Sequence, residues 1–251
     1  MKPGLPEILG VPVSPLRFDQ AVQEVARYIQ TQEPSYICVA SVHGVMEAQK
    51  DQHLMDIFDR ASMILPDGKP LSVILKAKGY PCDQIRGVDF TRATLEHGLT
   101  AGWSHFFYGT TESNLATLAS ALRRDYPPIN ISGSFAPPFR ALSESEQISI
   151  SETINAANAD IVWVGLSTPK QEDWMNSMRT LLQAPVLVGV GAAFDFLSGT
   201  KQQAPRAVSK LGLEWFYRMA QEPRRLGPRY LRHNPAFVSA VIRDYMKSRR
   251  S

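Results

Sequence analysis

Cysteine is scarce in this 251-residue chain: only Cys38 and Cys82 occur, with no CxxC spacing and no neighbouring Cys/His cluster. That argues against a disulfide framework or a structural zinc site and leaves two ordinary buried thiols. Long apolar runs are missing as well. No stretch approaches the roughly 18 uninterrupted apolar residues of a spanning helix, and Met1 to Pro15 has neither a basic n-region nor a continuous apolar h-region. The expectation is a cytoplasmic protein that does not cross a bilayer. Internal repeats and low-complexity linkers are lacking too, which excludes solenoids and disordered tethers.

What is present is enough apolar material, 44% of the chain, to bury a sizeable core in one domain, with or without an appendage. The charge is unevenly distributed. Residues 201–251 hold three Lys and nine Arg against Glu214, Glu222 and Asp244, a net of +9, so the first 200 residues carry −6 of the overall +3. A basic tail on an acidic body suits a phosphate-bearing partner: nucleic acid, an anionic membrane or a diphosphate ligand. A solvated helical surface that happens to be basic is the plainer alternative.

Apolar runs bounded by turn residues alternate with helical stretches. The strands predicted are Tyr36–Ala40, Ser62–Leu65, Ser104–Tyr108, Ile129–Gly133, Ile161–Gly165 and Val186–Gly189. Between them the spacing predicts helices over Phe18–Gln30, Val45–Asp59, Asp89–Gly98, Thr111–Tyr126, Glu144–Ala157 and Lys170–Leu182, two of them announced by Thr111 with Asn114 and by the Ser143/Glu146 capping box. This order indicates a doubly wound, mostly parallel α/β domain, Rossmann-like, whose ligands bind at the carboxyl ends of the strands. After Gly199 the character changes. Leu211–Met219 reads as a short amphipathic helix, Pro223, Gly227 and Pro228 as an interruption, and Ala236–Lys247 as a last helix. The division expected is a catalytic body over 1–200 and a basic helical appendage over 201–251.

Four strand-end motifs bear chemistry. Leu65-Pro66-Asp67-Gly68 would project the Asp67 carboxylate into the crevice, where a raised pKa would suit a general base; Pro-Asp-Gly is also a common turn. Ser41 and His43, in Ala40–Gly44, offer short polar groups at a helix start for a phosphate or sugar hydroxyl, although His43 can equally be a structural imidazole. In Val164–Glu172, Gly165 opens a loop and Gln171 can hydrogen-bond a polyol or simply face solvent. In Val188–Phe196, Gly189 and Gly191 allow close backbone approach and Asp195 can accept from the imide N–H of a uracil. This last motif is not a dinucleotide fingerprint: Phe194 replaces the third Gly and the position is late in the chain. No Asp-x-Asp pair exists to hold a divalent metal on a diphosphate, so basic side chains would have to meet that charge.

These motifs, with Arg86-Gly87-Val88-Asp89, Ala204-Pro205-Arg206, Gly212–Trp215 and Glu222–Arg225, resemble in their order the WecG/TagA/CpsF family of glycosyltransferases over about Tyr36 to Tyr230. The resemblance implies an inverting, metal-independent enzyme without cofactor that passes a sugar from a UDP donor to a polyprenyl-diphosphate-linked sugar at an anionic membrane surface. It assigns Asp67 as base, Arg86, Asp89 and Gln171 to the site, and Arg218, Arg224 and Arg225, with Arg229 and Arg232 less strongly, to the donor diphosphate. Where the family usually has Thr-x-Asn, this chain has Ser41-Val42-His43, keeping the hydroxyl and losing an amide. Two other classes stand against this reading: a nucleic-acid binder using the basic tail, which would lack a recognition module and interleaved aromatics, and an NAD enzyme, disfavoured by the missing third Gly.

Overall fold

The computed structural model describes residues 4–205, 208 and 212–248; Arg206, one of the family-signature residues, lies outside them. A hairpin comes first, β1 (Glu7–Ile8) antiparallel to β2 (Val11–Pro12), turning on Leu9 and Gly10, both at positive φ. A two-residue turn between right-twisted strands requires that conformation.

All six predicted strands form. They are β3 (Ser35–Ala40), β4 (Met63–Pro66), β5 (Ser104–Gly109), β6 (Asn130–Phe135), β7 (Ile161–Gly165) and β8 (Val186–Gly189), joined in one parallel sheet of order β4-β3-β8-β7-β5-β6. Parallel strands need covering on both faces, and the alternation of side chains along each strand divides the core accordingly. Tyr36, Cys38 and Ala40 of β3, with Val162 and Val164 of β7, enter one apolar cluster; Ile37 and Val39, with Ile161 and Trp163, enter the other.

The first cluster is closed by α2 (Val42–Ala48), α3 (Gln52–Arg60), α4 (Lys69–Ala77), α7 (Glu144–Ala156) and α8 (Lys170–Met178). The second is closed by α1 (Phe18–Thr31), α5 (Gly87–Ala101), α6 (Glu112–Asp125) and α9 (Ala193–Leu197). Helices on both faces of a six-stranded parallel sheet make this a Rossmann-like, doubly wound fold. The Thr111 and Ser143 caps predicted from sequence both form.

Several boundaries differ from the sequence reading. The helix expected over Val45–Asp59 is two helices, because Asp51 caps α3 by accepting from the His53 N–H. Helix α4 was hidden behind Pro70, which sits in its first turn, where a missing N–H leaves no intrahelical bond unmade. The basic tail departs most. Beyond α10 (Glu214–Gln221) the chain breaks at Glu222, just before Pro223, as expected, but Gly227 and Pro228 do not interrupt it further; it continues as one helix, α11 (Pro223–Ser248). Pro223 occupies the first position, which tolerates it, whereas Pro228 and Pro235 each remove one i→i−4 bond. Packing outweighs that loss: α11 lies against α2 and α10 and buries Leu226, His233 and Phe237.

Gly165, at the end of β7, is required by packing. A Cβ there would stand 2.5 Å from Cδ2 of Phe194, a fully buried ring with no room to retreat. Gly165→Ala is expected to destabilise the protein by about 1–3 kcal/mol, the usual cost of overpacking a core, in chemical denaturation; a midpoint equal to wild type would refute that account.

Candidate active site

The loops leaving four adjacent strands, β4, β3, β8 and β7, converge on one cleft of about 570 Å³ at the carboxyl edge of the sheet. Its floor includes Ser41, Asp67, Arg86, Gln171 and Gly191, and its outer wall comes from the tail: Glu214, Trp215 and Arg218 of α10, and Tyr230, His233, Asn234, Phe237 and Ile242 of α11.

Asp67 is fixed from several sides. Its N–H donates to the Ala40 carbonyl at 2.9 Å, the last rung between β3 and β4, and its own carbonyl accepts from Gln84 Nε2 at 2.8 Å. The carboxylate accepts the N–H of Gly87, the first residue of α5, at 3.0 Å. Pro66-Asp67-Gly68 is therefore not a tight turn: Gly68 has extended backbone and caps α4. Enclosure of the carboxyl group raises its pKa to about 6, with the negative charge of Glu214 adding to the rise. The Gly87 N–H, Arg218 and Arg86 pull the other way and are outweighed. A carboxylate poised near neutrality and opening onto a cleft is the arrangement a general base needs.

Arg86 is held at both ends. Its Nε donates to Asp89 Oδ2 at 2.6 Å and its Nη1 to Glu214 Oε2 at 3.3 Å. Asp89 thus serves to orient Arg86, and Arg86 ties the start of α5 to the tail.

Among the other residues singled out from sequence, Ser41 lines the cleft as the N-cap of α2, without a side-chain capping bond. His43 lines it beside His233, the rings edge-on with centroids 4.8 Å apart. Gln171 is 2% exposed, which excludes the solvent-facing alternative; its Oε1 accepts the Gly191 N–H at 2.9 Å and its Nε2 donates to Glu172 at 3.0 Å. Gly191, at φ +55, also lines the cleft. Gly165 and Gly189 sit outside the lining. Gly189 is pressed by Met175 and Gln171, so its bareness, like that of Gly165, serves internal packing. Asp195 is likewise outside, with its carboxylate on Asn114 at 3.1 Å and Lys201 at 2.6 Å. Of the arginines, Arg218 reaches the cleft and stacks over Phe196 at 5.6 Å. Arg224 is exposed and away from the lining; the side chains of Arg225 and Arg229 lie outside the described residues.

Sequence reasoning missed Lys69, Gln84, Glu214 and His233, all in the lining. Lys69 carried a readable signal, a cation directly after Pro-Asp-Gly at a strand end. Glu214 lay within the Gly212–Trp215 block without a role assigned to it, and His233 carried no signal; only the folding back of the tail brings them there.

The sequence profile described as the glycosyl transferase WecG/TagA/CpsF family matches residues 6–251. Curated relatives carry the name N-acetylglucosaminyldiphosphoundecaprenol N-acetyl-beta-D-mannosaminyltransferase. One from Bacillus spizizenii is 29% identical over 217 residues, 86% of this chain and 82% of its own length. Another from Staphylococcus aureus is 25% identical over 248 residues, 98% of this chain and 95% of its own. With a match spanning nearly its whole length, this chain belongs to the WecG/TagA/CpsF family of glycosyltransferases.

Proposed function

We propose that the chain is an inverting glycosyltransferase. In this reading it moves an N-acetylhexosamine-type sugar from a UDP donor to a polyprenyl-diphosphate-linked sugar at the cytoplasmic face of a membrane, for cell-surface polysaccharide synthesis. The observation that carries the chemistry is Asp67, enclosed at the cleft floor with its pKa raised to about 6. The acceptor class follows the relatives' names, which specify N-acetylglucosamine on diphosphoundecaprenol and transfer of N-acetylmannosamine.

Asp67 takes the proton from the attacking hydroxyl of the acceptor sugar. The oxygen bonds to the anomeric carbon from the side opposite the leaving group, and the bond to UDP breaks with its electrons going to the diphosphate. Charge growing there is met by Arg218 and Lys69, which line the same cleft. The acidic residues of the lining are Asp67 and Glu214, and Glu214 is engaged by Arg86, so the donor diphosphate is read as neutralised by cations of the chain rather than through carboxylate-held metal. The division of labour proposed is a catalytic body over 1–200 and a tail over 201–251 that completes the cleft.

No described helix is long and apolar enough to cross a membrane. Helix α11 instead exposes Leu231, Val238, Ile242, Tyr245 and Met246, spaced to fall along one stripe, among Arg and Lys. Such a surface suits the plane of a bilayer interface, each basic residue contributing about 1 kcal/mol near anionic lipid. Val238 and Ile242 also line the cleft, so the stripe leads from the lipid phase toward Asp67.

Asp67→Asn is expected to lower kcat by about 100- to 10,000-fold with UDP binding retained in calorimetry; full turnover would remove Asp67 as the base. Because the base acts deprotonated, log(kcat/KM) should climb with unit slope below about pH 6 and level off above it. Glu214→Gln withdraws a negative charge that holds the Asp67 pKa up, and should move that acid limb to lower pH. An unmoved or raised limb would contradict the coupling. In vesicle sedimentation, Leu231→Glu with Met246→Glu should weaken binding to anionic liposomes, and added salt should weaken it further. Undiminished retention of the double variant would refute the interfacial reading.

A further inference from the structure

Outside the chemistry assigned to Asp67, a second cluster joins the tail to the body. His43 and Glu47 stand four residues apart on α2, so both side chains fall on one face of that helix. Helix α11 runs against this face and brings His233, itself only 6% exposed, between them. His233 Nε2 is 3.4 Å from Glu47 Oε1, and one ligand atom from each of the three residues can be chosen so that all lie within 4.8 Å of one another.

We infer that His43, Glu47 and His233 form a zinc site that fastens α11 to α2. Two imidazoles and a carboxylate are the ligand types zinc accepts, and bonds of roughly 2.0–2.1 Å in tetrahedral geometry separate neighbouring ligand atoms by about 3.4 Å. The His233–Glu47 pair already has that separation, and the His43 ligand atom, within 4.8 Å of the others, has to move inward to complete the set. Glu47 also pairs with Lys50 at 2.8 Å, but the Lys50 side chain is 44% exposed, so a divalent ion displaces it at little cost. Both histidines line the cleft, giving the ion access and leaving its fourth position to water on that side.

The site does not depend on the transfer chemistry above, in which Glu47 takes no part. Its consequence is structural. Tyr230, Asn234, Phe237, Val238 and Ile242 of α11 wall the cleft, so an ion held between α2 and α11 fixes that wall in place. Nothing in the sequence marked this cluster, since His233 is remote in the chain from His43 and Glu47.

The test uses the full chain stripped with EDTA and titrated with zinc chloride by calorimetry, and with cobalt(II) by visible absorption. One equivalent should bind at micromolar or lower concentration and raise the melting temperature. The cobalt complex should show tetrahedral d–d bands without thiolate charge transfer. His43→Asn, Glu47→Gln and His233→Ala, each checked for folding by circular dichroism, should weaken binding about tenfold or more. Should His233→Ala fail to fold, His43→Asn and Glu47→Gln decide alone. Absence of saturable 1:1 binding, thiolate charge transfer placing the ion on Cys38 or Cys82, or unchanged affinity in His43→Asn and Glu47→Gln would each overturn the site.

Discussion

The hydrogen bond from the Gly87 N–H to the Asp67 carboxylate, 3.0 Å long, is the contact on which the rest of the site depends. It joins the end of β4 to the start of α5, elements separated in sequence by the whole of α4, and fixes the direction in which the carboxylate faces the cleft. Taken alone, such a bond at a helix N-terminus would favour the charged form of Asp67. Burial opposes it more strongly, and Glu214 adds its negative charge to the same side, leaving a pKa of about 6. Structural anchoring and chemical readiness are thus set by one group and its surroundings.

The tail makes those surroundings complete. Glu214 and Arg218 of α10 act on Asp67 with opposite signs, and Arg86 links Glu214 to the body by a bond that forms only when α10 is in place. Helix α11 supplies most of the outer wall and carries the exposed apolar stripe. In the proposed reading a single element would face lipid on one side and substrate on the other. That arrangement fits a reaction whose acceptor is anchored in a bilayer, because the surface that would meet the membrane also encloses Asp67.

The sheet was legible in the chain because parallel strands buried on both faces must be short apolar runs, and six such runs were present with helical spacing between them. The helices were less legible at their edges. Asp51 divides one predicted helix by capping α3, a local contact of one side chain. Pro70 concealed α4, since proline in a first turn and proline in a loop look the same in sequence. Gly227 and Pro228 concealed the length of α11, whose continuity rests on burying Leu226, His233 and Phe237. Of the glycines beside the strand ends, Gly191 lines the cleft while Gly165 and Gly189 are bare because Phe194, Met175 and Gln171 press on them. A glycine pattern in sequence does not distinguish these causes.

By itself the sequence determined the fold class, the placing of Ser41, Asp67 and Gln171 at strand ends, and the charge difference between body and tail, because these follow from hydrophobic period, turn chemistry and composition. Only the tertiary structure decided which groups act on one another. The pKa of Asp67 depends on Glu214, Arg218 and Gly87; Asp89 and Glu214 share Arg86; Asp195 is committed to Asn114 and Lys201; and His233 meets His43 and Glu47. Electrostatic effects and side-chain contacts depend on distance in space and take no account of separation along the chain, so they come into being only when α10 and α11 fold back across the carboxyl edge of the sheet.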